Sequence, residues 1–493
     1  MRSTRRGDSW WRKWGLLAAL ALAILAAGLY LGRVAGEEAL VREGICRQLL
    51  AGQTAGRQGV VSSIWWAPFP TLVLLPVVFL LPVGWAGLGG PCVAALFGAG
   101  TLLLIEQALR MWGAGRWRWL LAAGVGCNPL FLEHCWRGSS LSMMTCLTVL
   151  ILYSVTTWVR ERRLGDLIWF AFGSALLLGT SCEMGGWVLA TVVALAVEEW
   201  RRRVAWRERQ AVLTIALLPT VYVLILWLLM CWLIMGDPFY AVRSLAMPGP
   251  GPGDAFVGRD RMWWGYAILS TLVAIGLAQA LRRHDRSGVC LTMLGLMLPG
   301  IAGLLAWRNL LWDEAPLLFA LYPAAALVVG YGCVRGGTAL CERGGWHWGV
   351  AGLPLAIGLA ALLATPAAPR RGVVPEAGGY AGPSWLSGLE RHVRVRTPYA
   401  KVFISGFGSF ALLSPEARPV FEPALDFNFD KAKRDYYGHV LYLLVRRPDR
   451  RSAMDSIHWK YRDIYVQGAQ DTLYDSDWNE WRLFELVQAN APK

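Results

Sequence analysis

The sequence predicts a polytopic α-helical membrane protein of about 11 transmembrane helices, carrying a small C-terminal α/β domain on the face opposite its N-terminus. Three observations predict it. The 493 residues are 55% hydrophobic and only 17% charged, whereas soluble domains are about a quarter charged. Long apolar runs alternate with short arginine-rich runs until about residue 366, after which the chain reads as an ordinary water-soluble domain. Threaded through a bilayer, nearly all the arginine clusters fall on one side.

The N-terminus reads as an anchor rather than a cleaved signal. Residues 1–13 are basic, the following run to Leu31 is apolar and long enough to span, and no small-residue cleavage site follows. The candidate spans are 14–33, 90–109, 118–133, 141–158, 165–180, 184–199, 211–235, 263–281, 288–306, 315–334 and 347–365. One more apolar stretch, 67–88, is ambiguous, and charge decides it. With 67–88 omitted, Arg2 to Lys13, Arg110 to Arg118, Arg160 to Arg163, Arg201 to Arg209, Arg282 to Arg286 and Arg335 to Arg343 all face the cytoplasm. Counted as a crossing, it would send all but the first of these outside, against the positive-inside bias. The stretch therefore reads as a helix in the outer interface, entered through Trp65, Trp66, Pro68 and Pro70.

This threading divides the chain into a cytoplasmic segment 1–13, a membrane domain 14–365 with an outer loop 34–89, a Pro/Gly-rich linker 366–384, and an outer domain 385–493. In the outer domain, Trp385–Val393 reads as a helix. Lys401–Ser405 and His439–Val445 read as strands, and Trp478–Val487 as a last strand or pair. Ser405, before a glycine, reads as a strand end rather than a nucleophile.

Composition also excludes functions. A net charge of +14 can signal nucleic acid, but here the basic residues sit between apolar spans, where membrane orientation accounts for them. The 27 tryptophans suit membrane interfaces. The ten cysteines form no CxxC pair or Cys/His cluster, so neither a zinc site nor a disulfide framework is expected, although Cys46, Cys135 and Cys182 would share the outer face.

Chemistry on that face must come from the outer loops. Glu37 and Glu38 directly follow the first span, where a carboxylate can act as a general base; the plainer reading is an acidic helix start. Arg137 and His134 lie in the next loop, where a cation can meet phosphate or reach for lipid headgroups. Glu183 is a lone carboxylate between two short apolar runs, either functional or a cap on the turn. A fourth loop runs from Gly236-Asp237-Pro238-Phe239-Tyr240 through Arg243 and a Pro-Gly run, and a fifth holds Arg308, which can meet phosphate or pair with Asp313 or Glu314.

In order and context, these segments resemble the family C glycosyltransferases, membrane enzymes that use polyprenyl-phosphate-linked sugars. The family includes the protein mannosyltransferases, the aminoarabinose transferase of lipid A and the oligosaccharyltransferase catalytic subunit. The resemblance covers about residues 14–365. It rests on the acidic pair Glu37-Glu38 after the first span, the Arg47-Gln48-Leu49-Leu50-Ala51-Gly52 stretch and the Trp65–Pro70 entry. It continues with Asn128-Pro129-Leu130-Phe131, the Gly236–Tyr240 element, and Leu321-Tyr322-Pro323 followed by Gly330-Tyr331-Gly332. The family's first-loop acid is usually Asp, and here it is Glu; its second-loop acid has no counterpart in Gly138–Ser142.

The resemblance implies an inverting transfer to an acceptor on the outer face of the cell membrane. Glu38 or Glu37 would deprotonate an acceptor hydroxyl or amine, and Arg137, Arg308 or Arg243 would meet the departing phosphate, with His134 and Glu183 nearby. The donor would be a polyprenyl-phosphate sugar, with a divalent cation left open as a second cofactor. The acceptor could be a glycan, lipid or protein. The partners are then this donor and membrane lipids, not nucleic acid. The alternative is a non-catalytic binding or assembly protein of the envelope on the same fold. A transporter fits less well, because no internal repeat appears.

Overall fold

The computed structural model describes residues 7–31, 36–61, 66–82, 85, 87–113, 117–243, 259–282, 286–307, 321, 323–328, 331, 384–396, 401–404, 421–423, 441–446, 457, 461, 464–468, 472–478 and 481–486. These fall into two compact units. One draws on residues 1–34, 91–226 and 256–372, the other on 35–90, 227–255 and 373–493.

Helices dominate both. They are α1 (Gly7–Tyr30), α2 (Glu37–Leu50), α3 (Thr54–Val61), α4 (Pro68–Leu80), α5 (Gly89–Trp112), α6 (Trp117–Gly126) and α7 (Pro129–Arg137). They continue as α8 (Ser140–Glu161), α9 (Leu164–Thr180), α10 (Gly185–Arg201), α11 (Trp206–Met235), α12 (Tyr240–Arg243), α13 (Arg259–Arg282) and α14 (Arg286–Trp307). Among the described residues, four helices are long and apolar enough to cross a membrane: Lys13–Tyr30, α5, α8 and α11. Shorter apolar helices are α4, α9 and Gly288–Ile301.

The expected span 118–133 is in fact two helices. Asn128 and Pro129 divide it: Asn128 Oδ1 accepts from the backbone N–H of Leu130 at 2.8 Å, and Pro129 opens α7. Proline supplies no N–H to continue α6, and Asn is a preferred N-cap, so the chain stops and restarts here. The ten residues of α6 extend only about 15 Å, half the hydrocarbon thickness. The 13 residues of α4 extend about 20 Å, also short of a crossing. The expected span 347–365 and residues 366–383 of the linker lie outside the described residues, as does most of 315–334.

In the first unit α8 is central. It is buried along nearly its whole length, with Met143, Met144, Leu147, Ile151, Leu152 and Val155 inside. Its threonines are satisfied locally: Thr145, Thr148 and Thr156 donate to carbonyls four residues back at 2.7, 2.9 and 2.6 Å. Trp187 of α10 is fully buried and its Nε1 donates to the Leu294 carbonyl of α14 at 3.0 Å. Trp136 of α7 donates to the Ile24 carbonyl of α1 at 2.7 Å. Gly28 makes room for that indole; a Cβ there would lie 2.5 Å from Trp136 Cδ1.

The second unit contains a five-stranded sheet in the order β2-β1-β3-β5-β4, from β1 (Lys401–Ile404), β2 (Phe421–Pro423), β3 (Leu441–Arg446), β4 (Thr472–Trp478) and β5 (Trp481–Leu486). The helices α15 (Ser384–Arg396) and α16 (Ile464–Gln467) accompany it. β1 pairs in parallel with β2 and β3, while β3–β5 and β5–β4 are antiparallel. Alternation sorts the side chains onto two faces. Val402, Ile404, Tyr442, Leu444 and Leu483 pack with Leu386, Leu389 and Val393 of α15. Phe403, Leu441, Leu443, Val445, Phe484 and Leu486 pack with Ile457 and Ile464. The expected last element is thus a hairpin beginning at Thr472, and β2 is an additional three-residue strand.

One bulge fastens α15 to this sheet. The β4–β5 register slips between Tyr474 and Ser476, leaving Asp475 outside the ladder. Its side chain is 7% exposed; His392 Nε2 lies 2.9 Å from Oδ2, Ser476 Oγ donates to Oδ2 at 2.9 Å, and Arg396 pairs with Oδ1. Burial alone would raise the Asp475 pKa, but the hydrogen bonds from His392 and Ser476 and the Arg396 charge outweigh it and hold the carboxyl below its usual range. A depressed folded-state value means that this contribution is present above the ordinary carboxylate range and disappears as pH falls through the depressed value. Asp475→Ala is expected to destabilise the protein by about 1–2 kcal/mol at neutral pH. In melts from pH 7 downward, the variant and wild type should converge as Asp475 protonates. A constant gap across that range would refute the charge-based account.

Candidate active site

The acidic pair opens α2. Gly36 is its N-cap in extended conformation without a side-chain cap, so Glu37 and Glu38 occupy the first turn, where the helix dipole favours negative charge. Of Glu37 only the backbone is described. Glu38 is one-fifth exposed and accepts from Arg42 Nε at 3.0 Å.

Arg42 is the centre of the arrangement. Its side chain is 5% exposed. Its Nη1 donates to Thr71 Oγ1 of α4 at 2.9 Å and to the Ala67 carbonyl at 3.2 Å, and its guanidinium lies 4.3 Å from the centroid of the Trp66 ring. A buried guanidinium is costly unless charge and acceptors surround it, and here Glu38, Thr71, Ala67 and Trp66 do so.

Glu43, fully buried, forms a second link. Its Oε1 pairs with Arg47 Nη2 at 2.7 Å, and its Oε2 accepts the Gly87 N–H at 2.9 Å. Cys46 Sγ donates to the Thr71 carbonyl at 3.3 Å. Burial pushes this thiol up to about 12, with Glu43 adding to the rise and Arg42 and Arg47 opposing it, so it stays protonated. Cys46, Cys135 and Cys182 are free thiols. Helix α2 is therefore pinned to α4 and the Gly87 turn by buried polar contacts, with Glu38 at their more exposed end.

The sequence reading singled out Glu37 and Glu38 but missed Arg42, Glu43 and Thr71. Two acid-to-arginine pairs at i,i+4, Glu38–Arg42 and Glu43–Arg47, were the available signal. The contact of α2 with α3 is equally tight. A Cβ at Gly56 would lie 2.4 Å from Leu49 N and 2.7 Å from Gln48 C. Those are backbone atoms that cannot rotate away. Gly56→Ala is expected to force the helices apart and cost about 1–3 kcal/mol, read as a lower melting temperature in detergent; an unchanged melt would refute the close packing.

The other expected site residues lie elsewhere. His134 and Arg137 are on the same helix, α7, whose opposite face buries Phe131, Cys135 and Trp136. Arg137, 42% exposed, pairs with Glu133 at 2.8 Å, so part of its charge is already met within the helix. Gly138 ends α7 in the left-handed conformation at φ 70°, and Ser139 caps α8 by accepting from Leu141 N at 3.3 Å. Glu183 is half-buried in a 3-10 turn, Cys182–Met184, ahead of α10. Arg243 ends α12, with its side chain outside the described residues, and Arg308 is wholly outside them. Glu37 and Glu38 belong to the second compact unit, and His134, Arg137 and Glu183 to the first. Among the described residues, no group of three or more His, Cys, Asp or Glu side chains converges to hold a metal ion.

No protein-family model and no curated protein matches the sequence. Solved structures do match its fold. ArnT from Cupriavidus metallidurans bound to undecaprenyl phosphate aligns with a TM-score of 0.54 at 13% identity, covering 99% of this chain and 100% of that one. The same protein in the apo state aligns with a TM-score of 0.52, also at 13% identity and with the same coverage. The chain has the ArnT fold. At 13% identity the fold is what the two share. It is the architecture expected from the family C glycosyltransferase resemblance. The ArnT match runs through the C-terminal sheet as well as the helices, since nearly all of both chains align.

Proposed function

We propose that this protein transfers a sugar from a polyprenyl-phosphate donor to an acceptor on the outer face of the cell membrane, with inversion at the anomeric carbon. The observation that carries this reading is Glu38, a part-exposed carboxylate at a helix start, held by a buried arginine in a chain with the ArnT fold. A carboxylate so held is suited to accept a proton from a hydroxyl or amine as that group attacks. The acceptor oxygen or nitrogen bonds to the anomeric carbon, the bond to the lipid phosphate breaks, and the phosphate leaves with the electron pair. The donor is a phosphodiester and its leaving group, the polyprenyl phosphate monoester, departs as a stabilised anion, so cations rather than a strong acid suffice; Arg137, Arg243 and Arg308 are the proposed cations, with His134 and Glu183 as further proposed binding residues.

The reading includes the orientation drawn from charge: N-terminus in the cytoplasm, eleven crossings, and the domain from 385 onward outside. The undecaprenyl phosphate in the ArnT structure supports a lipid-phosphate donor here. Undecaprenyl phosphate added to the purified protein at a hundred times its Kd should stabilise it by about 2.7 kcal/mol, while farnesyl phosphate should do less. Equal or absent stabilisation by both would remove the donor assignment. Cysteine-accessibility labelling that put residues 34–66 in the cytosol would remove the orientation.

A further inference from the structure

The role of Arg42 can be read from where its donors go. Nε is used by Glu38, Nη1 by Thr71 and Ala67, and the guanidinium stacks over Trp66. That arrangement is unsuited to capture of the donor phosphate, because the group is buried and its Nε and Nη1 are engaged. Nor does fastening α2 to α4 need Glu38, since the contacts to Thr71 and Ala67 already bridge the two segments. Glu38 adds something different: it carries the linkage from the buried side chain to one that is one-fifth exposed. The geometry points to Arg42 as a positioning residue, which fixes the Glu38 carboxylate for proton abstraction from the acceptor.

This inference rests on the transferase reading above and deepens it. The orientation is transmitted along one line: Trp66, Ala67 and Thr71 hold the guanidinium in place, and its Nε fixes one oxygen of Glu38. Lysine cannot reproduce this, because a single ammonium lacks the planar fork that reaches Thr71 and Glu38 together.

A double-mutant cycle tests it. Wild type, Arg42→Gln, Glu38→Gln and the double variant are assayed in nanodiscs with undecaprenyl-phosphate-linked hexose, pentose and amino sugars, reading undecaprenyl phosphate release. Each variant's melting temperature and affinity for undecaprenyl phosphate are measured in parallel. Arg42→Gln is expected to lower kcat about ten- to a hundred-fold with little change in that affinity. In the Glu38→Gln background it is expected to have no further effect on kcat, although it lowers the melting temperature in both backgrounds. Arg42→Lys, the milder change if Arg42→Gln folds poorly, should also lose kcat, and guanidinium should partly restore the Arg42→Gln enzyme. Multiplicative losses of kcat in the cycle would overturn the positioning role while leaving the transferase reading intact. Full activity of Glu38→Gln would overturn Glu38 as the base and the positioning role with it, whereas no release by the wild type would overturn the transferase reading.

Discussion

Glu38→Gln is expected to reduce sugar transfer by about 10²- to 10⁴-fold, the usual contribution of general-base catalysis. Gln keeps the size and one acceptor oxygen, so Arg42 can still donate to it and α2 remains pinned through Glu43 and Cys46. Insertion, melting temperature and undecaprenyl phosphate binding should therefore stay close to wild type. The measurement is release of undecaprenyl phosphate from linked sugars in nanodiscs, beside a binding assay on the same preparation. Full transfer by Glu38→Gln would remove Glu38 as the base; absence of transfer by the wild type, with a cellular phenotype that Glu38→Gln leaves intact, would favour the non-catalytic alternative, a binding or assembly role. A fall in binding that matched the fall in transfer would assign Glu38 to donor recognition instead.

The second large effect is on stability. Glu199 of α10 is fully buried, pairs with Arg162 and lies 3.4 Å from Trp158 Nε1. Arg162 itself caps α8 in the left-handed conformation at φ 58° and stacks on Trp158 at 5.0 Å. Glycine adopts that backbone freely, so Arg162→Gly removes the charge without adding strain there. It leaves the Glu199 carboxylate buried and uncompensated, a loss of about 3–5 kcal/mol. The expected result is a pronounced fall in melting temperature in detergent, largely reversed by adding Glu199→Gln. If the double variant melted no higher than Arg162→Gly alone, the pair would not be the source of the effect.

Much of this architecture was legible because solvent change writes itself into composition. The apolar runs and arginine clusters marked the helices, and all four strand and helix assignments in the soluble domain overlap described elements. The residues of the break at Asn128 and Pro129 are visible within the expected span 118–133, but apolar composition continues through Leu132 and hides the capping geometry. Strand β2 carries only three residues and no alternation that a window could detect. At the site, Glu38 was legible as an acid after a span. Arg42 was not, because its partners Ala67 and Thr71 lie 25 and 29 residues away and depend on how α4 packs. Burial of a charge is a tertiary property: the same Glu-x-x-x-Arg spacing on a surface helix would be worth a few tenths of a kcal/mol.

The indole of Trp136 has a consequence for biogenesis. It donates to Ile24, 112 positions earlier in the chain. Helix α1 thus cannot complete this polar lock until more than a hundred further residues have been made. Little of that helix is covered even in the finished protein. Helix α1 is therefore secured late, by retrograde capture, and a truncation ending before Trp136 should leave it inserted but free to rotate about its long axis.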